Sequence, residues 1–329
     1  MVKKNIKRSS VIIPGTQKSG TTTIFHILST HSMIDEQECS EPNFFALNEE
    51  TIKENMDWYI NLYSKDEQKY LLDNSNLYLH HKRTPSLIKN FISDTKVIII
   101  LRNPIKRAYS SYLHMHKKVP CADRRNFKSI IKYIYGSMVS LDKHELINIE
   151  EENIMKNIEK IDENYLDEYY LKRKKKDVNF KSYFEDTLLP YKYFRRSLYS
   201  IDVNRFKRNF DEIKIIFLEE LIDKTEEVMK DVLDFLDLDY EKELFELPHK
   251  NVTKIPRNKL SRDLLYINKK FIPWPLNKKI KWQMKNKSIL YKPKPKLSKE
   301  LYEKGRGLLK KEYDYWISKH PKLEEYWTY

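Results

Sequence analysis

The stretch PGTQKSGTTTIFHIL, Pro14 to Leu28, decides how this chain is read. It is entered through SSVIIPG (Ser9 to Gly15), a short β-branched run that reads as a buried strand. From Thr21 the pattern turns helical, with Ile24, Ile27 and Leu28 on one face. A strand, a tight loop and a helix in that order gather free backbone N–H groups around one point, where the helix dipole adds positive character. Gly15 and Gly20 admit backbone conformations that a side chain would obstruct. Ser19, Thr21, Thr22 and Thr23 add hydroxyl donors. The segment is built to cradle a phosphate; its plain alternative is an ordinary strand–helix turn.

In nucleotide triphosphatases a lysine directly follows the second glycine, and the next Ser or Thr binds magnesium. Here Thr21 stands in the lysine's place, and Lys18 lies inside the loop. At the crown it is a compact charge near the outer end of a 5′-phosphate. That placement suits neutralising a leaving phosphate oxygen without a metal, and no His/Cys/Asp cluster in the sequence suggests one.

Outward from the loop, YLLD (Tyr70 to Asp73), KVIIIL (Lys96 to Leu101) and EIKIIFL (Glu212 to Leu218) read as further strands. Continuous apolar runs of this kind suit a parallel sheet covered on both faces. Helices are expected from Thr84 to Ile92, with Pro85 in the first turn, and from Pro104 to about Lys118. Two more are expected at Ser197 to Phe210 and at about Lys299 to Lys319. DKTE (Asp223 to Glu226) resembles a capping box before a helix that buries Val228, Val232, Leu233 and Leu236. Alternating strands and helices predict an α/β fold with a central, mainly parallel sheet flanked by helices. Its ligand should lie beyond the carboxyl ends of the strands. One domain over residues 1–329 is expected, with a charged helical insertion at about 121–193 and a basic aromatic region at about 248–329.

The length of 329 residues allows a sizeable core, while a net charge of +14 suits an anionic ligand, nucleic acid or an acidic membrane surface. Two cysteines in different segments, Cys39 and Cys121, do not make a disulfide framework. No stretch reaches the roughly 18 apolar residues of a membrane helix. A soluble cytoplasmic protein is the expectation, with peripheral membrane contact through FIPWPLNKKIKWQMKNK (Phe271 to Lys287).

A second motif, ILRNPIKRAYSSYLH (Ile100 to His114), is a strand ending in arginine, an Asn-Pro turn and a helix. Arg102 is placed to fork onto a phosphate, and Ser110 follows on the helix. By itself this arginine is equally an ordinary solvated or carboxylate-paired strand end. Taken together, G-x-x-K-x-G-T-T over Gly15 to Thr22 and R-x-P-x-x-R-x-x-S over Arg102 to Ser110 resemble the sulfotransferases. Within that family the first motif is most similar to the carbohydrate (heparan-sulfate-type) branch and its bacterial relatives. The resemblance implies a P-loop-type three-layer fold. It also implies 3′-phosphoadenosine 5′-phosphosulfate (PAPS) as sulfuryl donor and no metal. Lys18, Ser19, Gly20, Thr21, Thr22 and Thr23 would hold the 5′-phosphosulfate, and Arg102 and Ser110 the 3′-phosphate. Tyr199 is expected at the donor pocket, or else in the core, and Lys254 or Arg257 on a late loop closing over the donor.

On the acceptor side, EPNFF (Glu41 to Phe45) sets a glutamate beside paired aromatics, as the carbohydrate branch sets its catalytic base. Trp58 and Tyr59 resemble the family's following aromatic pair. The family's glutamate-lysine-serine after the second strand is here Asp73, Asn74 and Ser75, so the lysine is absent. His80 and His81 are expected at the surface or a pocket rim. The acceptor implied is a carbohydrate or glycolipid hydroxyl or amine, with nucleic acid not expected. The rival readings are a P-loop kinase or nucleotide triphosphatase, disfavoured by Thr21, and a non-catalytic basic module binding nucleic acid or membrane.

Overall fold

The computed structural model describes residues 8–39, 41–65, 67–116, 125–137, 192–241, 255–256, 291–292 and 294–329. Of the expected insertion at about 121–193, residues 121–124 and 138–191 lie outside them, as do the basic aromatic segment at 271–287, Lys254 and Arg257. Among the described residues no helix is long and apolar enough to cross a membrane.

The chain opens with β1 (Ser9–Ile13), α1 (Thr21–Ser29), β2 (Ile34–Glu36), α2 (Glu49–Glu54), α3 (Met56–Ile60) and β3 (Tyr70–Asn74). It continues with α4 (Thr84–Phe91), β4 (Thr95–Leu101), α5 (Pro104–His116) and α6 (Phe127–Ser137). Then come α7 (Tyr199–Lys207), β5 (Ile213–Phe217), α8 (Leu218–Asp223) and α9 (Thr225–Phe235). A short antiparallel pair, β6 (Ile255–Pro256) and β7 (Tyr291–Lys292), precedes α10 (Lys299–Leu308), α11 (Lys310–Lys319) and α12 (Leu323–Tyr326).

Five strands form one sheet in the order β2-β3-β1-β4-β5, with every pairing parallel. The apolar runs explain it: all seven residues of β4 are buried, which only a sheet covered on both faces allows. Successive residues alternate between two cores. Val11, Ile13, Ile98 and Ile100 face the layer of α1 and α9, while Ile12, Ile99 and Leu101 face the layer that includes α5. Strand order reverses about β1, which pairs with β3 on one side and β4 on the other. The crevice at that switch lies at the carboxyl ends of β1 and β4, where both sequence motifs sit.

Three local expectations are corrected. Asp223 does not cap a helix: it ends α8, accepts a hydrogen bond from the Tyr326 hydroxyl at 2.8 Å, and α9 starts without a side-chain cap. Among the residues expected to face inward there, Val228 is only partly buried, and Met229 takes its place in the core. The last helix is two helices broken at Leu309, which turns α11 so that Glu312 accepts from the Ser200 backbone at 2.7 Å and its hydroxyl at 2.8 Å.

α10 crosses α5 through Gly305, where a Cβ would stand 2.1 Å from Ile105 Cδ1. Alanine gains about 1 kcal/mol of helix propensity over glycine. Overpacking a filled core costs about 1–3 kcal/mol, and Ile105 is fully buried. Gly305→Ala is therefore expected to lower the melting temperature, and adding Ile105→Val, which removes Cδ1 but leaves Cγ1 2.6 Å from the new Cβ, to restore only part of it.

Candidate active site

The loop between β1 and α1 is stitched into the sheet at its base. Thr16 N donates to Ile100 O at 2.8 Å and Ile100 N to Gly15 O at 2.9 Å. Gly15 and Gly20 have φ of 141° and 92°, left-handed values that suit glycine. Gly20 caps α1, and a Cβ there would meet Leu218 Cδ1 at 2.6 Å. Ser19 is buried and its hydroxyl pairs with that of Thr16, bracing the turn from within. Thr21 is buried at the first position of α1, Thr23 half-buried and Thr22 exposed.

Lys18 holds a left-handed backbone, with φ of 73°, unusual for a residue with a side chain. Its carbonyl oxygen accepts a hydrogen bond from Arg102 Nη1 at 3.0 Å. The two motifs thus meet at one end of the sheet, the arginine from β4 gripping the crown of the loop from β1. Burial pulls the Arg102 guanidinium below its ordinary value, against the opposing charge of Glu219. Tyr199 is fully buried behind this point, and its hydroxyl donates to Arg102 O at 2.9 Å. Ser110 lies buried in the middle of α5. Its neighbour Ser111 reaches Gln17 Oε1 at 3.4 Å, and Arg196 Nη1 donates to the same oxygen at 3.0 Å.

Lys294 joins this group, unforeseen in the sequence. Its ammonium lies 5.9 Å from the centre of the Tyr109 ring, and the Tyr109 hydroxyl donates to Pro295 O at 3.2 Å. Burial, then the charge of Arg102, pull Lys294 below its ordinary value, and the same two causes act on Lys106, which Glu219 opposes. Half-buried lysines whose charge is further disfavoured by Arg102 mark a place where an anion is favoured. The only signal in the sequence was the run KPKPK (Lys292 to Lys296), which reads equally as a solvated tail.

Glu41 stands on a separate loop, again with left-handed backbone (φ 54°), as does Asn43 (φ 50°). The Asn43 side chain donates to Glu41 O at 2.9 Å, and its backbone N–H donates to Ser75 Oγ at 2.9 Å. Phe44 and Phe45 anchor the loop, Phe44 stacking on Tyr59 at 4.8 Å between centroids. Tyr59 and Tyr78 donate to Asp73 Oδ2 at 2.8 and 2.9 Å, and Ser75 to Asp73 Oδ1 at 2.6 Å. Burial raises the Asp73 carboxyl to about 6, with the three hydroxyls opposing. Asn76 donates to Glu41 Oε1 at 2.6 Å. The segment after β3 also abuts the phosphate loop, since Leu79 N donates to Pro14 O at 2.9 Å.

The histidines are corrected: both are buried, not at the surface or a rim. His80 Nδ1 contacts Asp202 Oδ2 at 2.8 Å, and burial drives its imidazole down to about 3. It is therefore a neutral ring donating from Nδ1 to the carboxylate. His81 pairs with Thr84 Oγ1 at 3.0 Å. Their burial follows from Tyr78 and Leu79, which carry the segment into the core.

The chain matches a family model described as "Sulfotransferase domain" over residues 8–304. It is 29% identical over 129 residues to a bifunctional heparan sulfate N-deacetylase/N-sulfotransferase 1 of Xenopus laevis, covering 37% of this chain and 15% of that protein. It is 28% identical over 120 residues to a heparan sulfate glucosamine 3-O-sulfotransferase 3A1 of Mus musculus, covering 36% of this chain and 29% of that protein. The chain thus spans under a third of the length of either relative. A solved sulfotransferase from Alicyclobacillus acidocaldarius is 21% identical, with 80% of this chain and 92% of that one covered at a TM-score of 0.47. With the family model matched across nearly its whole length, this chain belongs to the sulfotransferase domain family.

Proposed function

We propose that the chain moves a sulfuryl group from PAPS to a hydroxyl or amine of a carbohydrate acceptor. The observation that carries the reading is the hydrogen bond from Arg102 to the Lys18 carbonyl, which joins the two phosphate motifs into one pocket. The donor has a phosphate at each end of its ribose, and the pocket has a cationic group for each. The carbohydrate acceptor rests on the relatives, both of which are named as heparan sulfate sulfotransferases.

The residues present fit this donor. Backbone N–H groups of the loop, Thr21, Thr22 and the start of α1 hold the 5′-phosphate. Arg102, Ser110 and Lys294 hold the 3′-phosphate. Glu41 takes the proton as the acceptor oxygen or nitrogen forms its bond to sulfur. Lys18 neutralises charge growing on the bridging oxygen as the sulfur–oxygen bond to the phosphate breaks, leaving 3′-phosphoadenosine 5′-phosphate. As in phosphoryl transfer, the protein positions and neutralises.

Calorimetry with 3′,5′-adenosine bisphosphate, and with ATP plus magnesium, tests the donor. Bisphosphate is expected to bind without magnesium. Arg102→Gln should weaken it by about 2–5 kcal/mol, roughly 30-fold or more, as loss of a partly buried charged partner does. Magnesium-dependent ATP binding with none for the bisphosphate would overturn the reading. A labelled-donor screen across glycans then identifies the acceptor.

A further inference from the structure

Asn74 stands where the family resemblance puts a lysine, and a second asparagine, Asn76, follows after Ser75. Asn74 ends β3 and exchanges both backbone hydrogen bonds with the Gln37 side chain, at 2.9 and 3.3 Å. Asn76, two residues on, is 5% exposed and donates from Nδ2 to Glu41 Oε1 at 2.6 Å. The Glu41 backbone is already fixed through Asn43 and Ser75. Its side chain needs a separate constraint, because three rotatable bonds separate that backbone from the carboxylate. The amide of Asn76 is such a constraint.

Asn76 is itself seated on the phosphate loop. Its carbonyl oxygen lies 3.2 Å from where a Cβ on Gly15 would stand, and Leu79 just after it bonds to Pro14 O. Gly15, Asn76 and Glu41 thus form a continuous contact from the donor cradle to the proton-accepting carboxylate. A neutral amide holds a carboxylate in place without cancelling its charge, whereas an ammonium would offset that charge in part.

We infer that Asn76 is the positioning residue for Glu41, orienting its carboxylate toward the acceptor relative to the donor cradle. The inference rests on the sulfotransferase reading and adds a role for Asn76 to it. Asn76→Asp keeps the shape of the side chain but exchanges the donor for an acceptor. Asn76→Gln keeps the amide on a longer arm and serves as the conservative variant.

The full-length chain is tested with labelled PAPS, scoring label moved to a glycan or released to water, beside calorimetry with the bisphosphate. Asn76→Asp is expected to lower kcat about 10²-fold, the scale of a small misplacement at a reacting centre. Its KM for PAPS and its bisphosphate affinity should stay within about twofold, and Asn76→Gln should recover part of kcat. Wild-type turnover with kcat unchanged in Asn76→Asp overturns the inference and leaves the sulfotransferase reading standing. Loss of kcat and bisphosphate affinity together also overturns it, because Asn76 would then only support the loop. A wild-type chain that neither binds bisphosphate nor turns over PAPS removes the sulfotransferase reading and this inference with it. Should Asn76→Asp melt early, Asn76→Ala, which removes the amide without adding charge, decides by the same readouts, and a kcat equal to wild type overturns the inference.

Discussion

Lys18→Gly is expected to lower kcat for sulfuryl transfer by about 10²–10³-fold, the loss that follows removal of one preorganised group at a developing negative charge. The variant is chosen because it separates chemistry from folding. Lys18 carries a left-handed backbone that glycine adopts without steric cost. The substitution removes the ammonium while relaxing the turn, so the melting temperature should not fall enough to explain lost activity. Lys18 O still receives Arg102, because that contact uses the backbone. Bisphosphate affinity should therefore change much less than kcat. A turnover within about threefold of wild type would remove Lys18 from the proposed chemistry.

The second large effect is on stability. Asp202 has no exposed side-chain surface and is held by Arg195 at 2.8 Å, Arg205 at 3.1 Å and His80 at 2.8 Å. Burial alone would raise the Asp202 carboxyl, but the Arg195 guanidinium and the His80 contact pull it well below the ordinary carboxylate range. Asp202→Ala leaves Arg195 facing a cavity with its bidentate partner gone. Breaking a buried pair in this way costs about 3–5 kcal/mol. Chemical denaturation at neutral pH measures it, and a loss under about 1 kcal/mol would show the network to be dispensable.

The same network sets an acid limit. The folded His80, driven to about 3, and the folded Asp202 both bind protons less readily than they do in the unfolded chain. Their contribution is present above the ordinary values of about 6.5 for His and about 4 for Asp, and is lost as pH falls below each. Asp73, raised to about 6, acts in the opposite sense between that value and about 4. Stability should therefore fall on the acid side in the wild-type chain, and fall less steeply in Asp202→Ala.

Much of this architecture was legible because it is local. β4 is a run of buried β-branched residues, and strand, glycine loop and helix follow within twenty residues of the N-terminal strand. Arg102 and Lys18 were singled out by spacing, and they meet. What was not legible depends on contacts between distant segments. Lys294 reaches the donor end because α10 packs on α5, a contact across nearly two hundred residues. His80 looked like a surface residue because its partner Asp202 is 122 positions away. Asn76 has no pattern of its own; its role comes from the left-handed turn at Glu41, which brings that carboxylate within reach of the amide.

The last described segment has a consequence for how the protein is made. Asn103, in the turn after Arg102, is held by the hydroxyls of Tyr302 and Tyr313 at 2.9 and 2.7 Å, and Tyr302 in turn bonds to Trp327 O at 2.7 Å. The cradle near residue 20 leaves the ribosome well before the buttress of the arginine turn near residue 327, with the rest of the sheet between them. A nascent chain stalled before α10 would carry the loop from β1 and the arginine turn without this support. Capture of stalled chains on an immobilised bisphosphate would then select chains that carry these helices over chains that stop before them.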